Sequence, residues 1–102
     1  LPNQTLTFTK TIAGMYLDKK DHKSIVSHQI SHFLEFIRTN YALDTNVISE
    51  GFINKLASKS GNTLEQTKLL INYMVALRAK QIINQEELLE LNKRIEAFKN
   101  QK

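Results

Sequence analysis

Apolar residues between positions 21 and 45 recur every three or four residues, which is the spacing of one face of an α-helix. Because each residue turns a helix by about 100°, these side chains form one broad apolar stripe. Asp21 precedes the stripe and is expected to cap the helix by accepting hydrogen bonds from its first free amides. The pattern predicts a central helix around which the other elements pack. The stripe consists of Val26, Ile30, Phe33, Leu34, Ile37 and Tyr41.

A further helix is predicted before the central one, over about Thr5–Leu17. Phe8, Ile12, Met15 and Tyr16 follow the i, i+4, i+7, i+8 pattern of a helix. The polar run at positions 18–21 interrupts this pattern, so we expect the first helix to end there.

Three helices are predicted after the central one, because their starts carry capping signals. Ser49 is a suitable N-cap, and Gly61 is a typical helix stop. Capping boxes are predicted at Thr63 with Gln66 and at Asn84 with Glu87. No segment of useful length alternates apolar and polar residues as a half-buried strand does. The sequence therefore predicts an all-α bundle of about five helices. The predicted buried residues of the last three helices are Phe52, Ile53, Leu56, Ala57, Leu64, Leu70, Ile71, Met74, Val75, Leu77, Leu88, Leu91, Ile95 and Phe98.

Composition limits the domain organisation and the chemistry. The 102 residues fit a single domain over 1–102, with 41% hydrophobic and 24% charged residues. No apolar run approaches the roughly 18 residues that span a bilayer. The absence of cysteine excludes disulfides, thiolate nucleophiles and cysteine-type zinc sites. Because the chain begins at Leu1 without a signal pattern, we expect it to be a fragment of a longer protein.

No catalytic, metal or cofactor site is predicted. His28 and His32 share a helical face at a spacing that metal-binding helices use, but no third ligand accompanies them. Exposed or partly packed histidines, including His22, are therefore the favoured interpretation. Arg38 could bind a carboxylate or a phosphate, although an internal ion pair with Asp21 or Glu35 is favoured.

Residues 52–71 could form either a plain αα-hairpin, which is favoured, or a helix-turn-helix. The net charge of +4 comes from the second half of the chain, where residues 52–102 hold nine Lys or Arg and five Asp or Glu. Nucleic acid is therefore an alternative partner, and residues 52–78 would bind it. In that alternative, the DNA-contacting residues are Lys55, Lys59, Gln66, Lys68 and Asn72.

A family resemblance covers nearly the whole chain. The pattern of core and polar residues resembles a family of bacterial membrane proteins of unknown function. Their genes commonly accompany those of a MoxR-type AAA ATPase and its von Willebrand factor A-like partners. The residues that carry the resemblance are Thr5, Phe8, Tyr16, Asp21, His22, Lys23, Ile30, Phe33, Leu34, Ile37, Arg38, Tyr41, Thr45, Phe52, Ile53, Lys55, Leu56, Ala57, Lys59, Ser60 and Gly61.

The resemblance implies a C-terminal domain at the cytoplasmic face of the inner membrane, attached on its N-terminal side to a transmembrane helix that this sequence lacks. It implies no enzyme activity. We therefore expect a non-enzymatic protein-interaction or assembly module, whose partner belongs to the same MoxR-associated membrane system. The predicted contact residues are Asp21, His22, Lys23, Arg38 and Tyr41.

Overall fold

Four α-helices and one short strand pair are found in the computed structural model, which describes residues 10–11, 15–16 and 21–100. The strands are β1 (Lys10–Thr11) and β2 (Met15–Tyr16). The helices are α1 (His22–Tyr41), α2 (Glu50–Ser60), α3 (Leu64–Ala79) and α4 (Gln85–Lys99). The all-helical prediction therefore holds for residues 21–100, with four helices there instead of five in all.

The predicted first helix, Thr5–Leu17, is wrong at its described residues, because β1 and β2 pair as antiparallel strands. The rest of that prediction lies outside the described residues. A two-residue period in the sequence indicates the reason. Threonine, which is β-branched and favours strands, occupies every second position from 5 to 11, and Gly14 lies between the two strands. This alternation competes with the helical spacing of Phe8, Ile12 and Met15.

The predicted helix caps are largely confirmed. The Ser49 hydroxyl accepts a hydrogen bond from the Phe52 amide at 3.2 Å, and Gly61 ends α2 with φ of 84°. Both capping boxes form, one at Thr63 with Gln66 and the other at Asn84 with Glu87. Asp21 occupies the N-cap position of α1, but its carboxylate makes no capping hydrogen bond there, so that part of the prediction is wrong.

Helix α1 packs against all three other helices. Phe33 and Ile37 are almost fully buried, and the Phe33 ring meets the Phe98 ring of α4 edge to face, with centroids 5.4 Å apart. Successive residues of α1 contact successive residues in and just before α4, in the same order along the chain. Helices α1 and α4 therefore run parallel. Helices α2 and α3 pack against each other and are joined by a three-residue connection, which is compatible with the predicted αα-hairpin. The contacts that define the parallel pair are His22 with Ile83, Gln29 with Asn92, and Phe33 with Phe98.

Two residues of α3 differ from their predicted burial. Leu64 and Val75 were assigned to the core, but their exposed fractions are 47% and 48%. Helix α3 has apolar residues on more of its circumference than the bundle can cover, and the buried side is taken by Leu70, Met74 and Leu77. Tyr41, at the end of the central stripe, is only half-buried.

Candidate functional site

Lys23 stabilises the C-terminal end of α3. Its ammonium group donates hydrogen bonds to three main-chain carbonyl oxygens there. Because the last carbonyls of a helix lack partners within the helix and carry its negative dipole end, a lysine ammonium is well placed among them. The predicted contact residue Lys23 therefore has an internal structural partner. The acceptors are Leu77, Arg78 and Lys80, at 3.3, 2.8 and 2.6 Å.

His22 is buried, with 9% of its surface exposed. Its Nδ1 lies 3.1 Å from the carbonyl oxygen of Ile83, which precedes α4. Because a carbonyl can only accept, Nδ1 carries the hydrogen. Nε2 is buried and has no hydrogen-bond partner among the described residues. The expectation of an exposed or partly packed imidazole is wrong for His22, while His28 and His32 are exposed.

Asp21 is the exposed member of the Asp21–Lys23 run. Its main-chain carbonyl accepts a hydrogen bond from the Ile25 amide at 3.2 Å. Its carboxylate makes no side-chain capping bond, so it can be approached from solvent.

Arg38 lies near the other end of α1 and forms the predicted ion pair with Glu35. Its Nη2 is 2.8 Å from the Glu35 carboxylate, and its Nη1 donates to the hydroxyl of buried Thr45. Hydrogen bonding and the positive charge of Arg38 lower the pKa of Glu35. Arg38 thus links the last turns of α1 to the loop that follows.

Tyr41 is the last residue of α1, and it has contacts with two neighbours. Its ring packs edge to face on Phe36, with centroids 5.9 Å apart. Its carbonyl oxygen accepts a hydrogen bond from the Lys59 ammonium at 2.9 Å. Fifteen residues of helix separate Lys23 from Arg38, which corresponds to about 22 Å. The five predicted contact residues therefore lie at two ends of α1 and do not form one patch.

The residues of the DNA-binding alternative are also separated. Lys59 contacts the end of α1, and the Gln66 side chain is held in the α3 capping box. Lys55 lies beside the α1–α2 loop and lines a small groove there with Leu43 and others. Only Lys68 and Asn72 project together from the exposed side of α3. Lys55 and Lys59, likewise four apart and exposed, lie on α2. Whether the five residues bind DNA stays a prediction.

The sequence interpretation missed the apolar residues on the exposed side of α3. Leu69 is 55% exposed, and Leu64 and Val75 are close to half exposed. The signal was present in the sequence, since a helix that is apolar on most of its circumference needs cover on more than one side. We call these three residues the α3 surface. At about 100° per residue, Leu64 and Val75 lie at one edge of the exposed side and Leu69 lies at the other.

A groove of ≈ 320 Å³ runs between α3 and α4 beside Leu69. Its polar lining groups are already bonded: the Asn62 amide donates to the Phe98 carbonyl at 3.3 Å, and Arg94 pairs with Glu90 at 2.7 Å. The surface that the groove leaves available to a ligand or partner is therefore mainly apolar. The lining residues are Asn62, Gln66, Leu69, Leu70, Glu90, Arg94, Ala97 and Phe98.

Electrostatic interactions fix the wall of this groove. The Arg94 guanidinium lies over the Tyr73 ring, 4.4 Å from its centroid, and bonding to Arg94 lowers the pKa of Glu90. Burial, together with the charges of Glu87 and Glu90, raises the pKa of Tyr73. Glu90 and Arg94 in the groove lining therefore stay paired, and Tyr73, which contacts Arg94, stays neutral.

A family model described as the DUF4350 C-terminal helical domain matches residues 9–102 of the chain. No curated protein and no solved structure matches.

Among the described residues, no group of three or more His, Cys, Asp or Glu is placed to hold a metal ion. None of the described helices combines the length and hydropathy needed to cross a bilayer.

Proposed function

We propose that this chain, which belongs to the family of DUF4350 C-terminal helical domains, is a non-enzymatic protein-interaction or assembly module. One observation carries the proposal, namely that Leu69 of the α3 surface is 55% exposed beside the α3–α4 groove. Exposed apolar groups that border a groove are typical of contact sites, and single scattered ones are not. Leu69 also forms part of the α3–α4 groove, so apolar side chains of a partner can pack beside it.

The same surface argues against DNA as the partner. Helix α3 is the element that a helix-turn-helix would place in the major groove. Its exposed residues include the three apolar residues of the α3 surface and also Glu65, with two cations, Lys68 and Arg78. DNA contacts depend on cations at phosphates and on polar groups at base edges. The αα-hairpin of α2 and α3 is compatible with either function, but the residue types favour protein.

The cellular setting belongs to this proposal as well. The family resemblance supports a position at the cytoplasmic face of the inner membrane, as part of a longer membrane-anchored protein. It also supports a protein partner in a MoxR ATPase-associated membrane system. Of the predicted contact residues, Asp21 and Arg38 have accessible charged groups that could take part.

A photo-crosslinking residue at position 69 of the full-length protein tests the α3 surface. Position 47 is the matched control, because Val47 is 70% exposed but lies in the α1–α2 loop. We expect a specific protein adduct at 69 and none at 47. Dissociation constants are then measured for that purified protein. Leu69→Glu should weaken binding at least tenfold, and Val47→Glu less than twofold. Equal adducts at both positions, or full binding by Leu69→Glu, would refute the proposal.

The DNA alternative is tested separately, by fluorescence anisotropy with duplex DNA at low and moderate salt. We expect no saturable binding by the wild-type protein at moderate salt. Tight binding that falls steeply with salt, and that Lys68→Ala or Asn72→Ala weakens, would favour DNA, because phosphate contacts release counterions.

A further inference from the structure

Two exposed histidines on α1 have not been assigned a role. His28 and His32 lie on the side of α1 that faces away from the core, and both are exposed. Residues four apart on a helix are offset by about 6 Å along its axis and about 40° around it, so both rings project from one side. Within the described part of the chain, neither ring takes part in a hydrogen bond, unlike that of His22. Both ring nitrogens of each side chain therefore remain available.

We infer that His28 and His32 form a two-ligand site for a divalent transition-metal ion, of which Zn²⁺ is the representative. Neutral imidazole is a favoured ligand of zinc, copper and nickel, whereas magnesium and calcium require oxygen ligands. Two histidines four apart on a helix are the spacing by which zinc-protease helices hold zinc with two nitrogens at about 2.0–2.1 Å. The sequence shows the spacing and the shared helical face, and the structure adds that both side chains are exposed.

Charges of both signs lie near the histidine pair. Arg38, the nearest cation along this side of α1, is occupied by the Glu35 carboxylate at 2.8 Å. Glu35 lies about one turn beyond His32, and hydrogen bonding to Arg38 lowers its pKa, so it stays charged near neutral pH. The approaching ion therefore meets a carboxylate and a paired guanidinium, and the Lys99 ammonium lies 4.9 Å from the centroid of the Phe36 ring, one turn beyond His32.

The helix that carries the pair is also held at both ends. Lys23 fixes the start of α1 to α3, and Lys59 donates to the carbonyl of Tyr41 at its end. The two imidazoles are thus presented on a formed helix, and metal binding needs only side-chain ordering. Since the described residues supply no cluster of three ligands, water completes the coordination and the affinity is that of a two-nitrogen chelate.

Titration of the protein with Zn²⁺ alone, followed by calorimetry and by the histidine ring signals in NMR, tests the inference. We expect one site, with the signals of His28 and His32 shifting together while those of buried His22 stay in place. His28→Gln and His32→Gln should each weaken binding at least tenfold. Both positions are exposed, so circular dichroism should show an unchanged fold.

The matched control is the double variant His28→Gln with Asn40→His. It keeps three histidines but separates the two exposed imidazoles by about 12 Å along the helix axis, too far for one ion. The control should bind Zn²⁺ no better than His28→Gln. Wild-type affinity in the control, or a Zn²⁺-dependent shift of the His22 ring in place of the other two, would overturn the assignment.

Discussion

Lys23 shows at the scale of one residue why a contact residue is hard to recognise in a sequence. The run Asp21–Lys23 stands out as polar and unexplained by helical periodicity, so it was predicted to contact a partner. In the structure, Lys23 and His22 bind main-chain carbonyls that lie 54 to 61 residues further along the chain. Carbonyl acceptors have no side-chain signature, so sequence patterns cannot identify them. Whether Asp21 contacts a partner remains a prediction.

Replacing Lys23 by methionine should destabilise the fold by about 1–2 kcal/mol. Methionine keeps much of the aliphatic stem, and the variant loses charged hydrogen bonds to the end of α3 together with a favourable dipole interaction. Urea unfolding measures the change. Lys68→Met is the control, because Lys68 is exposed on the same helix and makes no hydrogen bond within the described residues, so its effect should stay within about 0.5 kcal/mol. Equal effects of the two substitutions would contradict the capping role.

Ala42 and Gly61 provide a pair of opposite tests of backbone conformation. Both end a helix in the left-handed region, with φ of 55° and 84°. The left-handed conformation costs a non-glycine residue about 1–2 kcal/mol. Glycine avoids this cost, but its greater flexibility in the unfolded chain offsets part of the gain in stability. Ala42→Gly should therefore stabilise the protein by about 0.5–1 kcal/mol. Gly61→Ala should destabilise it by about 1 kcal/mol, because an added Cβ has no atom within 4 Å and only the backbone is strained.

Thermal unfolding of both variants checks this pair. For a domain of this size, 1 kcal/mol corresponds to a shift of about 4–8 °C in Tm. A rise in Tm for Ala42→Gly and a fall for Gly61→Ala are expected. Changes of the same sign would show that side-chain contacts, and not φ, decide the stability at these two positions.

At the scale of elements, the sequence predicted the starts and stops of α2, α3 and α4 because caps are local. Ser49, Gly61 and the two capping boxes act within four residues of themselves, so their residue types alone indicate the helix ends. The described residues before α1, Lys10–Thr11 and Met15–Tyr16, were predicted incorrectly, since two periods compete in that part of the sequence and the β-branched alternation was outweighed by four apolar positions. The burial of Leu64 and Val75 could not be derived from α3 alone, because it depends on how many neighbours cover the helix.

The α3 capping box gives a test at this scale. Thr63→Ala removes the hydroxyl that accepts a hydrogen bond from the Gln66 amide at 3.0 Å, and with it one half of the reciprocal pair. The free energy of unfolding should fall by about 1 kcal/mol, since an N-cap substitution by alanine costs between about 0.5 and 2 kcal/mol. Ser58→Ala, in the exposed middle of α2, should leave the free energy of unfolding nearly unchanged. Chemical denaturation of both variants measures the difference, and a Thr63→Ala effect no larger than that of Ser58→Ala would contradict it.

At the scale of the whole molecule, the four helices share one core, and this separates the residues that hold the fold from those available to a partner. The buried cluster draws residues from every helix, while the α3 surface and the histidine pair lie outside it. Helical periodicity predicted most of that cluster, because the apolar stripe is the buried side in each helix that has apolar residues on one face alone. The parallel arrangement of α1 and α4 could not be predicted, since it depends on contacts between residues about 60 positions apart.

If the helices share a single core, a destabilising substitution in α1 should also lower the stability of α4. Ile37 is fully buried on α1, and Ile37→Val removes one methylene group, which typically costs about 0.5–1.5 kcal/mol. If the helices unfold as one cooperative unit, hydrogen exchange should show the slowest amides of α1 and α4 losing the same free energy of opening. Leu89→Ala is the control, because Leu89 is 38% exposed on α4 and lies outside the buried cluster, so its effect should be smaller. A loss of protection confined to α1 would show that α1 and α4 open independently and would contradict the single cooperative core.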